Sequence, residues 1–317
     1  MNDTIIYQGQ VIDAHSHLAS TQFIPRKFIE GIAMNSAVRL DAMGIKSNIN
    51  KIIDMLEFQL QDHDATTLIS EIETSAIEHC IVLLPDFTYV MKSEITIEEM
   101  FERHCTILKN HREKFSIVAG VDPRWGKDGV SLFEKYAYNH DIAGLKLYPP
   151  CGYSPSDESL YPYYEICAQL KLPVVMHMGP TSPVLDFTFA RPAHVDKAAR
   201  DFPAVNFILA HGAVHHIEES VELCVYRPNI YIDTGAYLGS VTAEGWRQSL
   251  NKIFRCGINH KILYGTDWPL HRDSGGHKNV IANFISQSGP LSDVMTRDAQ
   301  QIMRNTARRL FNIGLKQ

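Results

Sequence analysis

Short apolar runs alternate with longer segments of helical periodicity along most of this chain. Eight of these runs are rich in β-branched or other apolar residues, which is typical of buried strands. They cover 11–14, 80–84, 116–120, 143–148, 174–177, 206–210, 230–233 and 262–265. Strands joined by helix-length connections run parallel through right-handed crossovers, and eight such units close into a barrel. The pattern therefore predicts an α/β fold, a (β/α)8 TIM barrel.

Helical periodicity is clearest in two of the connecting segments. An apolar stripe along 161–170 predicts a helix that Pro173 terminates. A last helix is expected to begin at 297 or 298 and to end near 311, with apolar side chains that cover the barrel wall.

One connection is far longer than a βα unit needs, because residues 18–78 separate the first two strands. We interpret about 19–60 as a helical insertion within a single barrel that extends over 1–317. Its amphipathic piece 49–60 would form a helix over the barrel mouth. The insertion could be a lid or a partner-binding surface, and the lid is preferred because the insertion begins soon after His17.

Composition and charge narrow the class of protein. The 317 residues are 45% hydrophobic and 21% charged, with a net charge of -6 and no lysine or arginine cluster, so no nucleic-acid partner is expected. The six cysteines form no CxxC pair, which favours free thiols in a reducing cytosol. No leader pattern and no membrane-length apolar run is present, and we expect a cytoplasmic protein.

Polar side chains with metal-binding or proton-transfer chemistry follow several predicted strands. His15 and His17 follow the first strand two residues apart, so both imidazoles can reach one metal ion. Three later strands deliver Lys146, His177 and His211. The last strand is followed by Asp267. Because a barrel places the carboxyl ends of its strands around one mouth, these groups are expected to converge.

At these positions the chain resembles the amidohydrolase superfamily, and within it the amidohydrolase-related group that includes aminocarboxymuconate semialdehyde decarboxylase. The matching motifs are Asp13-Ala14-His15-Ser16-His17, Gly144-Leu145-Lys146, Val175-Met176-His177, Leu209-Ala210-His211-Gly212 and Tyr264-Gly265-Thr266-Asp267-Trp268-Pro269. The resemblance spans nearly the whole chain. It implies a (β/α)8 barrel with one or two divalent metals at its carboxyl face, and either metal-assisted hydrolysis or nonoxidative decarboxylation.

Three imidazoles and a carboxylate suit zinc or, as an alternative, manganese or another divalent ion. We assign His15, His17, His177 and Asp267 as ligands, with one coordination position left for water. The metal would lower the pKa of that water toward ~7. His211 would then transfer a proton, assisted by Asp267, although His211 could instead bind a second metal.

Lys146 bears on the number of metals. In binuclear superfamily members a lysine on strand 4 is carboxylated and bridges two ions. An ordinary ammonium would repel a second cation and could bind a substrate carboxylate. The resemblance to the mononuclear subgroup favours one metal, zinc before manganese or another divalent ion, with Lys146 as a cation on the substrate side or in the outer shell.

Loops after the strands should supply substrate specificity. The loop after the fourth strand has three prolines and offers Tyr148 and Tyr153 to the mouth. Arg191 could bind an acidic substrate, and His271 follows the last strand closely enough to reach one.

We therefore expect a metal-dependent hydrolase in which metal-activated water attacks a small carboxylated, cyclic or lactone-type substrate. The alternative is a nonoxidative decarboxylase of the same superfamily. A non-catalytic metal-binding or interaction protein is a weaker alternative, because the metal and proton-transfer residues are all present. Related barrels often form dimers, which leaves a homodimer open.

Overall fold

The computed structural model describes residues 6–236, 243–272 and 275–314. Its core is one sheet of eight parallel strands in which each strand pairs with the next along the chain. The strands are β1 (Val11–Ser16), β2 (Ile77–Leu84), β3 (Phe115–Ala119), β4 (Gly144–Leu147), β5 (Val174–His177), β6 (Phe207–Ala210), β7 (Ile230–Asp233) and β8 (Ile262–Leu263). The predicted parallel (β/α)8 architecture is confirmed.

Contacts between β1 and the segment after β8 bring the sheet back on itself. The backbone N–H of Ala14 donates to the carbonyl of Tyr264 at 2.9 Å, and Ser16 forms a parallel bridge with Trp268. β8 is only two residues long, although the apolar run predicted four. Beyond Leu263 the backbone N–H of Tyr264 donates to the carbonyl of Ile302 instead of to β7, and the chain then enters the turn at Asp267.

Helices cover the outside of the sheet. They are α1 (Arg26–Ala42), α2 (Ile49–Gln59), α3 (Thr66–Thr74), α4 (Ile97–Ile107), α5 (Gly126–Tyr138), α6 (Tyr161–Leu170), α7 (Asp196–Asp201), α8 (Ile217–Tyr226), α9 (Ala243–Phe254), α10 (Gly276–Ile285), α11 (Thr296–Gln300) and α12 (Thr306–Leu310). A π-helical segment, Gln301–Asn305, joins the last two. The expected final helix is therefore present but contains a π segment.

The apolar core has two parts. Alternate strand residues such as Ile12, Leu83 and Ile208 fill the barrel interior, and Leu310 and Phe311 near the end of the chain pack against this interior cluster. The larger cluster lies between the sheet and the helices. Both faces of the strands are buried, which explains why they appear as continuous apolar runs in the sequence.

The long connection after β1 contains α1, α2 and α3. The amphipathic piece predicted at 49–60 is α2 (Ile49–Gln59), and the side chain of Asn48 caps its first turn by accepting from the N–H of Lys51. The hydroxyl of Ser182, in the loop after β5, donates to the carbonyl of Phe28 on α1. This part of the chain therefore packs against loops on the carboxyl side of the sheet.

Within the described ranges, no helix has both the length and the apolar character needed to span a bilayer.

Candidate metal centre

The first strand delivers two histidines to the carboxyl end of the barrel. The Nδ1 atom of His15 lies 2.8 Å from Oδ2 of Asp233, and Nδ1 of His17 lies 2.8 Å from the carbonyl oxygen of Leu83. Both partners are acceptors, so Nδ1 carries the proton in each ring and Nε2 of a neutral ring has a lone pair. A metal-binding imidazole is oriented in this way by its second nitrogen.

Asp267, beyond β8, brings a carboxylate to both of these rings. Its Oδ1 atom lies 3.3 Å from Nε2 of His15 and 3.2 Å from Nε2 of His17. Its backbone has a φ of 60°, and its N–H donates to the carbonyl of His15 at 2.7 Å. A non-glycine residue in the left-handed region carries strain and is enriched at functional sites. The turn thus holds the Asp267 carboxylate against the histidine pair.

β7 ends at Asp233, a buried carboxylate that the sequence analysis did not single out. Its Oδ1 atom accepts from the backbone N–H groups of His211 and Gly235 at 2.8 and 3.0 Å, while its Oδ2 atom accepts from His15. Burial alone would lower the pKa of His15, but Asp233 and Asp267 outweigh it and raise that pKa to about 9. The signal was present in the sequence, because Asp233 ends its apolar run as His177 ends the fifth.

Below this pair, Asp13 organises the backbone that carries the ligand candidates. Its Oδ1 atom accepts from the N–H groups of His15 and Thr266, both at 3.0 Å. Its Oδ2 atom accepts from the Thr266 hydroxyl at 2.6 Å and lies 3.1 Å from Nε2 of His277. The other ring nitrogen of His277 lies 2.9 Å from Oε2 of Glu71. This buried chain ties the first and last strands together beside the candidate centre.

The opposite side of the mouth is built differently. His177 ends β5, Lys146 lies in β4, and both are buried. Among the described residues, neither Nε2 of His177 nor Nζ of Lys146 has a hydrogen-bond partner. Burial lowers the pKa of Lys146 to about 8 and lowers that of His177 well below its usual value. Two buried polar groups are therefore left for something other than protein.

His211 lies between the two sides. Its ring centroid is 4.6 Å from that of His15 and 4.7 Å from that of His177. Its Nδ1 atom lies 3.1 Å from the carbonyl of Gly235, which makes Nδ1 the donor and leaves Nε2 as the basic atom of the neutral ring. Burial lowers the pKa of His211 to about 4.

The donor set fits a divalent cation. Ligand atoms of His15, His17 and Asp267 all lie within 4.8 Å of one another. Nε2 of His15 is buried and makes no hydrogen bond within the described residues. A Cβ at Gly235 would lie 2.8 Å from Nδ1 of His15, and one at Gly265 would lie 2.7 Å from its Cβ, so both glycines make room for this ring. Imidazole nitrogens and a carboxylate oxygen are ligands that zinc and manganese accept.

Atoms of His15, His211 and Asp233 form a second group of the same tightness. The oxygens of Asp233 already accept the hydrogen bonds described above, so this group orients the rings. His177 belongs to neither three-residue group. Its ring centroid lies 4.7 Å from that of His211, which belongs to the second group.

Two of the residues expected to contact substrate lie beside the centre. The ring of Tyr148 stacks on that of His177 with centroids 4.2 Å apart. His271 is buried, and burial is the largest cause that lowers its pKa, with Asp267 acting in the opposite direction.

The other two have different surroundings. Tyr153 is buried, and its hydroxyl oxygen accepts the backbone N–H of Tyr148 at 2.7 Å, so it holds the backbone of Tyr148 in place. The side chain of Arg191 is 56% exposed and forms an ion pair with Glu219. The described contacts of Tyr153 and Arg191 give the expectation of substrate binding no support.

Comparisons with known proteins identify the kind of barrel. The family model described as amidohydrolase matches residues 12–313. Among curated proteins, Protein fluG of Emericella nidulans is 22% identical over 152 residues, and the match covers 45% of this chain and 18% of that protein. The match thus spans less than a fifth of the length of that relative.

Solved structures share the fold over almost the whole chain. An uncharacterized TIM-barrel protein from Bordetella bronchiseptica has a TM-score of 0.65 and 19% identity, covering 96% of this chain and 99% of that one. A probable 2-pyrone-4,6-dicarboxylic acid hydrolase from Acinetobacter baumannii, solved with citric acid bound, has a TM-score of 0.60 and 13% identity, with coverages of 96% and 99%.

A third structure is that of 5-carboxyvanillate decarboxylase from Novosphingobium aromaticivorans, complexed with manganese. It has a TM-score of 0.60 and 10% identity, and 96% of each chain is covered. At these identities the three structures show a shared fold.

Proposed function

The chain belongs to the amidohydrolase family, and from that premise we propose that it is a metal-dependent hydrolase acting on a small carboxylated, cyclic or lactone-type substrate. The observation that carries the proposal is the convergence of Nε2 of His15, Nε2 of His17 and Oδ1 of Asp267 on one point at the barrel mouth. Active sites of TIM barrels lie at this end of the strands.

We propose that His15, His17, His177 and Asp267 hold one divalent ion, zinc or manganese. When bound, such an ion lowers the pKa of a coordinated water toward ~7 and polarises a substrate carbonyl. His15 and His17 are held by their second ring nitrogens, to Asp233 and to a backbone carbonyl. The rings therefore do not have to reorganise to bind the ion.

His211 is the proposed proton acceptor. Its Nδ1 donor is engaged by Gly235, and its backbone N–H donates to Asp233, so the ring orientation is fixed. Nε2 then has the lone pair that takes a proton from an attacking water, and later returns it to the leaving group. Asp267 assists with the carboxylate oxygen that does not contact the histidine pair.

Lys146 is the proposed anchor for a substrate carboxylate. Its ammonium is buried and lacks a hydrogen-bond partner within the described residues, which is costly unless an anion enters the mouth. Tyr148, stacked on His177, forms a flat wall against which a ring could lie. His271 is buried and close enough to Asp267 for that carboxylate to raise its pKa against the larger, lowering effect of burial. A small acid with a planar ring or lactone fits these three groups.

Decarboxylation is the second candidate, because it uses the same substrate carboxylate that Lys146 is proposed to hold. A carboxylate held there would leave as CO2, and His211 or a water would deliver a proton to the carbon, so that R–CO2⁻ and H⁺ give R–H and CO2. The solved 5-carboxyvanillate decarboxylase has the same fold. Hydrolysis is preferred because His211, as oriented, begins as a proton acceptor.

A product assay separates the two reactions. The purified chain, loaded with zinc or with manganese, is incubated in ¹⁸O water with 2-pyrone-4,6-dicarboxylate as lactone probe and 5-carboxyvanillate as decarboxylation probe. We expect ¹⁸O in a ring-opened product. CO2 release without ¹⁸O incorporation would transfer the assignment to the lyase, and turnover of neither probe would count against this substrate class.

His211→Asn tests the proton transfer itself, since asparagine keeps a polar group at this position but cannot transfer the proton. It should keep the metal and lose turnover. Unchanged turnover in this variant would contradict the role given to His211.

A further inference from the structure

The turn at Asp267 depends on side chains that lie outside the candidate ligand set. Asp267 is held in the left-handed backbone region, and strain of this kind persists only where the surrounding structure fixes it. Thr266 directly precedes this residue, and Trp268 directly follows it. The support of these two neighbours therefore decides where the Asp267 carboxylate lies.

His277, on α10, supports both neighbours. Its Nε2 atom lies 3.1 Å from Oδ2 of Asp13, and the same oxygen accepts the Thr266 hydroxyl at 2.6 Å. The His277 ring also stacks on the ring of Trp268, with centroids 6.1 Å apart and planes at 19°. The backbone N–H of Trp268 in turn donates to the Thr266 hydroxyl oxygen at 3.1 Å. One side chain thus supports the backbone on both sides of Asp267.

His277 is itself held by Glu71, on α3. Oε2 of Glu71 accepts the backbone N–H of His277 at 3.0 Å and lies 2.9 Å from its Nδ1 atom. Burial alone would lower the pKa of His277, but hydrogen bonds to Asp13 and Glu71 outweigh it and raise that pKa to about 9. At neutral pH the ring therefore carries a proton on both nitrogens and donates to a carboxylate at each end.

Two glycines make room for the Glu71 carboxylate at the start of α10. Gly276 has a φ of 62°, and a Cβ at this position would lie 2.7 Å from Cδ of Glu71. Gly275 is also in the left-handed region, with a φ of 90°. A side chain at 276 would both strain the backbone and displace Glu71. The close approach of Glu71 to His277 is therefore specified by the sequence.

A second contact joins the same two parts of the chain. Nη1 of Arg272 donates to the carbonyl of Gln59, the last residue of α2, at 2.5 Å. The Cζ atom of Arg272 lies 5.6 Å from the centroid of the Trp268 ring. The segment that carries Asp267 is thus held at two places by the long connection between β1 and β2.

We propose that Glu71 and His277 are positioning residues for Asp267. Neither belongs to the three-residue ligand group that contains Asp267. They act on the backbone at Thr266 and Trp268, and in this way they keep the Asp267 carboxylate in place to bind the ion. The proposal rests on the metal site proposed above and deepens it, because it identifies what orients one of the ligands.

Thermodynamic linkage makes this coupling reciprocal. If Glu71 and His277 favour the metal-binding position of Asp267, metal binding must in turn stabilise α3 and its contact with α10. Hydrogen exchange of backbone amides measures such local stabilisation without a substrate.

Zinc affinity of the purified full chain, measured by chelator competition, is the first test. His277→Phe keeps a ring that can stack on Trp268 but removes both hydrogen bonds of the imidazole, and we expect the zinc dissociation constant to rise about 10-fold. Glu71→Gln keeps an acceptor oxygen but removes the charge, so it should raise the constant by a smaller factor. With cobalt in place of zinc, the visible absorption bands should shift in His277→Phe, since they report ligand geometry.

Glu73→Gln is the matched control, because Glu73 lies on the same helix and is exposed. It should change neither the zinc affinity nor the cobalt spectrum. In the unmodified chain, zinc should slow amide exchange in α3 but not in α5, and His277→Phe should abolish the effect on α3. Should His277→Phe fail to fold, Glu71→Gln provides the same comparison from a side chain that is 25% exposed.

Two outcomes would contradict the proposal, and they are distinguishable. A purely structural role predicts that the variants unfold at lower temperature while zinc affinity, cobalt spectrum and exchange in α3 stay as in the unmodified chain. That result would overturn the positioning role and leave the metal site standing. An unmodified chain that binds no zinc would overturn the metal site, and the positioning role with it.

Discussion

The two sides of the barrel mouth differ in how completely the protein satisfies its own polar groups. On the side of β1, β7 and β8, Asp13 and Asp233 accept hydrogen bonds on both carboxylate oxygens and are fully buried. On the side of β4 and β5, Lys146 and His177 are buried with polar atoms that lack a partner within the described residues. The ring of His211 lies between the two.

This difference distinguishes the polar groups that hold the site in place from those that remain for metal and substrate. Buried carboxylates whose oxygens are all paired form a rigid network, and Asp13 and Asp233 fix the position of His15 before any ligand arrives, leaving only its Nε2 atom for that ligand. Unpaired buried groups are costly, and natural chains keep them where activity requires them. The first side is thus the frame that presents His15, His17 and Asp267 to a metal, and the second is the part whose buried polar groups metal and substrate complete.

Removing Asp13 should have the largest effect on stability. Asp13→Ala leaves the donors of His15, Thr266 and His277 without their acceptor in a buried place. We expect the free energy of unfolding to fall by about 3–5 kcal/mol, as measured by urea denaturation. Asp293→Ala, which breaks an exposed ion pair with Arg255, is the control and should cost less than about 1 kcal/mol. Equal losses of unfolding free energy in the two variants would contradict the stabilising role given to Asp13.

His104, on α4, is a buried histidine outside the candidate ligand set, and its Nδ1 atom lies 2.8 Å from the carbonyl oxygen of Met100. It is buried against Phe23, and burial lowers its pKa to about 4. The unfolded chain therefore takes up a proton near pH 6.5 that the folded chain resists, so stability present above pH 6.5 is lost as the pH falls toward 4. His104→Phe should reduce this acid loss by on the order of 3 kcal/mol in unfolding measured at pH 7 and pH 4. An unchanged pH dependence would contradict the assignment.

Asp233→Asn tests the frame through metal affinity. An amide at this position no longer favours the proton on Nδ1 of His15, and it loses the charge that supports the ring as a ligand. We expect the dissociation constant for zinc to rise about 10- to 100-fold in a chelator competition. Asp196→Asn, which affects a surface ion pair with Arg227, should leave zinc affinity unchanged.

Lys146→Met should stabilise the protein, in contrast to Asp13→Ala. Methionine has a similar volume and removes a buried ammonium that has no partner among the described residues. In the absence of metal and substrate, the free energy of unfolding should rise by about 1–2 kcal/mol while turnover is lost. A lower stability would show that Lys146 belongs to the frame.

Most of the fold could be predicted from the sequence, because strands buried on both faces appear as continuous apolar runs. The amphipathic pattern gave α2 within one residue. The length of β8 was overestimated, because its last predicted residues are apolar or glycine although the backbone N–H of Tyr264 donates to the carbonyl of Ile302 and not to a strand. The π segment Gln301–Asn305 has no signature in apolar periodicity.

The candidate site was predictable where chemistry coincides with the end of a strand. His15, His17, His211 and Asp267 were found in this way, and the structure brings them together. Asp233 was passed over, although it ends its apolar run as His177 ends the run of β5.

Long-range hydrogen bonds explain the other differences between sequence and structure. The partner of His277 is Asp13, 264 positions away along the chain. Tyr153 and Arg191 lie in the expected loops, but their contacts with Tyr148 and Glu219 depend on side-chain packing that periodicity does not encode.

Elemental analysis of the purified chain tests the central claim most directly, namely that residues from 15 to 267 gather round one cation. After reconstitution with zinc and removal of excess metal, we predict one equivalent per chain, with Lys146 as a free amine by intact mass. Two equivalents with a carboxylated Lys146, or no retained metal, would contradict the account.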